Sequence, residues 1–156
     1  MILRELGDGV QVAGQIRAED VSRLAEEGVR CLVCNRPDDE EPGQPPAAGI
    51  RTAAERAGIA FVHLPVAGLP DLATARRVHS VIRGATGPTL AYCRTGTRST
   101  MLWALGVVDA GEMTIREVLH RAAVAGYDLR ALLPQLLIAA SGADRRTGGG
   151  SEGETG

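Results

Sequence analysis

Four short apolar runs, each set apart from the next by a stretch of helical or loop character, constrain this chain more than anything else in its sequence. The runs lie at 10–13, 29–34, 59–64 and 89–92, and a further strand is expected just before them at 2–6. Between them, 18–27 place Val21, Leu24 and Ala25 on one helical face and stop at Gly28. A second helix is expected over 47–57, ending at Gly58, and a third over 71–83, with Asp71 as its N-cap. Strands that alternate with helices imply an α/β domain: a mostly parallel sheet flanked by helices on both faces. Such sheets bind ligands beyond the carboxyl ends of their strands. Three more helices follow the last strand. The first, 99–109, is apolar nearly all round and is expected to be buried. The second opens on a capping box, Thr114 to Glu117, and ends at Gly126. The third is capped by Asp128 and runs to about residue 140. Residues 1–140 thus read as one catalytic domain. From 141 to 156 the only apolar residue is Ala143, and a disordered tail is expected.

Composition removes several function classes. All 17 basic residues are Arg, so neither a Schiff-base lysine nor a Walker-type phosphate loop is available. A net charge of −2 gives no reason to expect a nucleic-acid partner. No apolar run has the length of a membrane span, and the first residues do not form a signal peptide. Three cysteines, at 31, 34 and 93, make no disulfide framework, and a cytoplasmic location is expected. His63, His79 and His120 are scattered, with no ligand spacing, so neither a metal nor another cofactor is expected. The sequence says nothing of oligomeric state.

The chemistry concentrates where the last strand ends, in Cys93-Arg94-Thr95-Gly96-Thr97-Arg98-Ser99. A cysteine at the tip of a buried strand is held rigidly. The residues after it can turn their backbone N–H groups inward as a nest for an anion, with Gly96 supplying the required backbone angle. The following helix points its positive end into that nest. Arg98 adds a permanent planar charge with parallel donors. Together these favour thiolate over thiol, making Cys93 a nucleophile and Arg98 its anion clamp. Residues 94–97 and Ser99 would form the cradle, with the Ser99 hydroxyl able to bond the sulfur.

The loop CRTGTRS resembles the active loop of single-domain rhodaneses. A more specific resemblance covers about residues 1–140. VAGQ at 12–15, NRPDDEEPGQP at 35–45, HLPV at 63–66 and YCRTGTRSTMLWAL at 92–105 are similar to the bacterial phosphatase-like domain found alone or fused to metallo-beta-lactamase-like hydrolases. That family is described both as sulfur transferase and as phosphatase-like. The resemblance implies a dual-specificity-phosphatase-like fold, with the active loop between a strand and a buried helix. Arg17, where a helix-capping Ser or Thr is usual, and Cys34, within the strand leading to NRPD, depart from it.

Two reactions then compete. Tyrosine-type phosphatases place five residues between Cys and Arg, whereas four stand here. The smaller cradle suits the single terminal sulfur of a persulfide better than three phosphoryl oxygens. Cleaving an alkyl phosphate also calls for a general acid. Asp71 is the candidate, though it reads first as a helix cap, and Asp38 and Asp39 read as parts of an exposed acidic loop. Persulfide sulfurtransfer is therefore the expected activity, on a small anionic or sulfane-sulfur substrate. Phosphoester hydrolysis through a phosphocysteine is the alternative, and a thiol sensor or binding module is a third reading. Cys34 is a candidate resolving thiol for Cys93. Cys31 faces the other way on the same strand and reads as core.

Overall fold

A computed structural model describes the backbone of residues 1–155 and the side chains of residues 1–146. Five strands form one sheet: β1 (Arg4–Gly7), β2 (Val10–Ala13), β3 (Cys31–Cys34), β4 (Ala60–His63) and β5 (Thr89–Tyr92). Their spatial order is β1-β2-β5-β3-β4. Only β1 runs antiparallel to its neighbour; β2, β3, β4 and β5 are mutually parallel. The helices are α1 (Val21–Glu26), α2 (Ala47–Ala57), α3 (Leu72–Gly84), α4 (Thr97–Asp109), α5 (Ile115–Val124) and α6 (Leu133–Thr155).

The two faces of the sheet follow from residue alternation along each strand. On β3, Cys31 and Val33 join one core, while Leu32 and Cys34 join the other. On β5, Ala91 faces the first and Leu90 and Tyr92 the second. The first core is covered by α3, α4, α5 and α6, with Leu102, Trp103 and Leu105 at its centre. Leu24 of α1 and Ile50 of α2 close the second. Helix α4 is buried almost throughout, as its all-round apolar character requires.

Several strand and helix ends differ from the sequence reading by one to three residues, and three differences bear on the site or the C-terminal stretch. Helix α4 starts at Thr97 rather than 99, because Gly96 is itself the cap residue. Asp128 does not cap α6: it accepts from the Arg130 N–H at 3.0 Å, at the start of a short 3-10 turn (Arg130–Leu132) whose cap position is Leu129. The tail expected from 141 is corrected at its start: α6 continues, Ala143 is buried, and Arg146 reaches both the carbonyl and the carboxylate of Asp109 at the end of α4. The rest of that stretch lies outside the described side chains. Burial pushes the Asp109 carboxyl up, but Arg76 and Arg146 outweigh it and hold the group below its ordinary range. Deleting residues 141–156 removes one of those two partners and uncovers the surface beneath Ala143. Both arginines are half exposed, so the loss is about 1 kcal/mol. A melting temperature lower by about 2–4 °C is expected in thermal unfolding.

Candidate active site

The parallel strands β2, β5 and β3 end side by side, and their ladder continues into the loops beyond them. Cys93 N–H donates to Ala13 O at 3.4 Å, Gln15 N–H to Arg94 O at 3.2 Å, and Asn35 N–H to Tyr92 O at 2.8 Å. Cys93 is therefore pinned between two neighbouring segments, and it is 1% exposed. The chain then turns sharply. Gly96 has φ of +93°, and a Cβ there would stand 2.2 Å from the Tyr127 hydroxyl, so both conformation and space demand glycine. The turn brings the Gly96 N–H back onto Cys93 Sγ at 3.1 Å. From outside, Tyr127 donates its hydroxyl to Thr95 O at 3.1 Å and braces the loop. Thr100 N–H makes the first bond of α4, to Gly96 O, so the amides of Thr97, Arg98 and Ser99 have no helical acceptor and stand ready for an anion.

Arg98 has five N–H donors, and their allocation fixes its orientation. Nη1 donates to Glu40 Oε2 at 2.8 Å and to Val66 O at 2.7 Å, and Nη2 donates to Glu40 Oε1 at 2.8 Å. That leaves Nε and one Nη2 hydrogen, the side-on edge of the guanidinium, and Arg98 interacts with the Cys93 sulfur. Glu40 also accepts from Arg36 Nε at 2.9 Å. Arg98 first, and Arg36 with it, hold the Glu40 carboxyl down to about 2. With its carboxylate favoured in the folded protein, Glu40 keeps its stabilising charge at all ordinary pH and loses it only as pH falls through that value.

Arg36 is itself buried. Besides Glu40 it donates from Nη1 to Gln15 at 3.1 Å, while its Nη2 is buried without a hydrogen-bond partner, 3.6 Å from Glu41. Glu41 pairs with Arg94 Nε at 2.5 Å. Three guanidinium groups thus meet two carboxylates around the loop. One positive charge is left over beside Cys93.

Each residue singled out from the sequence now has a place. Cys93, Arg94, Thr95, Gly96, Thr97 and Arg98 come together in one loop. Ser99 is corrected: its hydroxyl donates to Asn35 Oδ1 at 2.8 Å rather than to the sulfur. Asn35 in turn donates to Leu64 O at 2.9 Å, tying α4 to the ends of β3 and β4. Asp71 accepts from Thr74 N–H at 2.8 Å as the cap of α3, and the Thr74 side chain first, with that N–H after it, holds its carboxyl below the ordinary range. The helix cap is thus the place the structure gives it. Asp38 bonds the Ala47 N–H at the start of α2. Cys34 lies opposite Tyr92, one residue before Cys93, on the neighbouring strand. Its thiol donates to Arg36 O, and burial pushes its pKa up. His63 Nε2 stands 2.8 Å from that same carbonyl.

The model of the phosphatase-like domain of beta-lactamase hydrolase-like proteins matches residues 2–110. The chain belongs to that family. A beta-lactamase hydrolase-like protein of Xylella fastidiosa is 33% identical over 130 residues, which make up 83% of this chain and 30% of the relative. This phosphatase-like domain therefore spans about a third of the curated relatives' length. A Neisseria meningitidis structure described as a candidate phosphatase is 34% identical with a TM-score of 0.78, covering 89% of this chain and 99% of that one. PTPMT1 (15% identity, TM-score 0.72, 97% and 99% covered) and human DUSP28 (17%, 0.66, 89% and 93%) share the fold.

These findings overturn the expected persulfide sulfurtransferase. The family is phosphatase-like, its well-covered structural relative is described as a candidate phosphatase, and the fold is that of cysteine-dependent phosphatases rather than rhodaneses. The loop-length argument rested on one spacing, the four residues between Cys93 and Arg98, and the family match and the fold outweigh it.

Proposed function

We propose that this domain is a cysteine-dependent phosphoester hydrolase acting through a Cys93 phosphocysteine. The observation that carries the reading is the allocation of Arg98 donors, which leaves one planar fork for an anion beside a buried sulfur. In the first step the Cys93 thiolate attacks phosphorus, the S–P bond forms, and the P–O bond breaks with its electron pair going to the leaving oxygen. The open amides at the start of α4 and the Arg98 fork bind the phosphoryl oxygens through the transition state. Water then attacks phosphorus, phosphate departs, and the thiolate is restored.

Glu40 is committed to Arg98 and Arg36, and Asp71 to the cap of α3, so the reading assigns neither of them the proton for the leaving oxygen. The rate is expected to fall steeply as the leaving-group pKa rises across a series of aryl phosphates. Orthovanadate is expected to inhibit competitively. Absence of turnover with every aryl phosphate, or turnover indifferent to vanadate, would refute the reading.

Glu40→Gln keeps the shape of the side chain and removes the charge that orients Arg98. A loss of about 10- to 100-fold in kcat/KM is expected, together with a lower melting temperature because the buried Arg36 loses its carboxylate partner. Steady-state kinetics with para-nitrophenyl phosphate measures it. An unchanged kcat/KM would show that Val66 O alone orients the arginine.

A further inference from the structure

Beside the Cys93 loop lies a second cavity of about 450 Å³. Its place follows from the topology. Antiparallel β1 pairs Arg4 with Val12, so the start of β1 sits at the edge of the sheet where β2 and β5 end. Arg4, Gln15, Arg94, Thr95, Ala125 and Tyr127 line it, and among the described residues no acidic side chain does. Arg94 also lines the cleft that holds Arg98 and Glu40, so it forms the partition between the two spaces. Its Nε is paired with Glu41, which leaves its terminal nitrogens open among the described residues. The guanidinium of Arg4 has no hydrogen bond or ion pair among the described residues and lies close to Gly126.

Arg4, without a carboxylate partner among the described residues, and the open edge of Arg94, whose other edge pairs with Glu41, favour an anion between them. Met1, Ile2, Ala125 and the ring of Tyr127 offer apolar surface for a carbon skeleton. Tyr127 stands between the two spaces. Its hydroxyl bonds the loop at Thr95, and its phenol responds to burial first, then to the Cys93 sulfur and to Arg4.

We propose that this cavity is an anion subsite for the leaving group, so that the substrate is a phosphoester whose alcohol or phenol portion carries a second acidic group. The inference rests on the phosphoester hydrolase reading. The phosphoryl group sits at Cys93 and Arg98, the skeleton passes Arg94 and packs on Tyr127, and the distal acid reaches Arg4. Arg4 is a specificity residue and takes no part in bond breaking.

The test compares 3-(carboxymethyl)phenyl phosphate with its methyl ester, which has the same skeleton and no distal charge, and with 3-(phosphonomethyl)phenyl phosphate. For the unaltered protein, kcat/KM is expected to be about tenfold higher for the acids than for the ester, carried by KM. A larger gain for the phosphonate would mark a second phosphate as the favoured group, and a larger gain for the carboxylate a carboxylic acid. Arg4→Ala is expected to remove the preference and leave turnover of the ester unchanged, and Arg4→Lys to restore part of it. Equal kcat/KM for acids and ester in the unaltered protein, or a preference that survives Arg4→Ala, overturns the subsite. If none of the three esters is turned over, the hydrolase reading fails separately. Calorimetric binding of the corresponding non-hydrolysable aryl phosphonates then decides the subsite alone: tighter, Arg4-dependent binding of the acids upholds it, and equal binding overturns it.

Discussion

Cys93→Ser is expected to abolish phosphoester hydrolysis, lowering kcat by about 10⁴-fold or more, while the fold is retained. The substitution is nearly isosteric, and a hydroxyl oxygen can still accept the Gly96 N–H that now bonds Sγ. What is lost is the nucleophile. A serine hydroxyl without an adjacent base stays protonated, whereas the Gly96 amide, the helix end and Arg98 stabilise a thiolate. Phosphate and vanadate binding are expected to survive, because the α4 amides and Arg98 are untouched. The contrast with the other cysteines sharpens the test. Burial pushes the thiols of both Cys31 and Cys34 up, with smaller opposing contributions from Thr89 at Cys31 and from Tyr92 and Arg36 O at Cys34. Iodoacetamide at neutral pH is therefore expected to modify Cys93 well before either, as peptide mapping would show, and vanadate is expected to protect it. Equal labelling of the three would contradict the arrangement described.

Arg98→Lys is expected to cost about 10²- to 10³-fold in kcat, although the charge is conserved. Arg98 meets three obligations at once. It binds Glu40 end-on through two nitrogens, Val66 O through a third hydrogen, and presents its remaining edge beside Cys93. An ammonium has three donors on one nitrogen and no second edge. In a lysine variant Glu40 and Val66 would hold the charge on their own side, away from the transferring group. Adding Glu40→Gln to Arg98→Lys is then expected to lose less than the two single losses combined, since the residues act as a unit. Full additivity in steady-state kinetics would show that Glu40 acts independently of Arg98.

The strand and helix order was legible because apolar periodicity along the chain is set by the same burial that builds the two cores. The loop 93–99 was legible because its chemistry is local: strand, cysteine, glycine and helix start are contiguous. What stayed hidden depends on contacts distant in sequence. Glu40 lies 58 residues from Arg98, within a polar loop whose composition alone suggests solvation. Tyr127 bonds Thr95 across 32 residues, and Ser99 bonds Asn35 across 64. No periodicity signals such pairs. Asn35 is fully buried next to a strand end, yet its sequence context, a polar loop, gives no sign of that burial. The reaction was misjudged because one loop spacing was set against a fold that the whole chain specifies, and the comparisons over that fold favour the phosphatase reading. Similarly, the stretch after 140 reads as unable to bury itself, and Arg146 shows that an ion pair with Asp109 can hold its beginning.

The most direct measurement is capture of the covalent intermediate. The protein is mixed with para-nitrophenyl phosphate, quenched in detergent within the first turnover, digested, and analysed by mass spectrometry. The peptide containing Cys93 is expected to gain about 80 Da, one phosphoryl group, with a burst of para-nitrophenol approaching one equivalent per active site. Turnover without a phosphorylated Cys93 peptide, or a phosphoryl group on any other residue, would contradict the account.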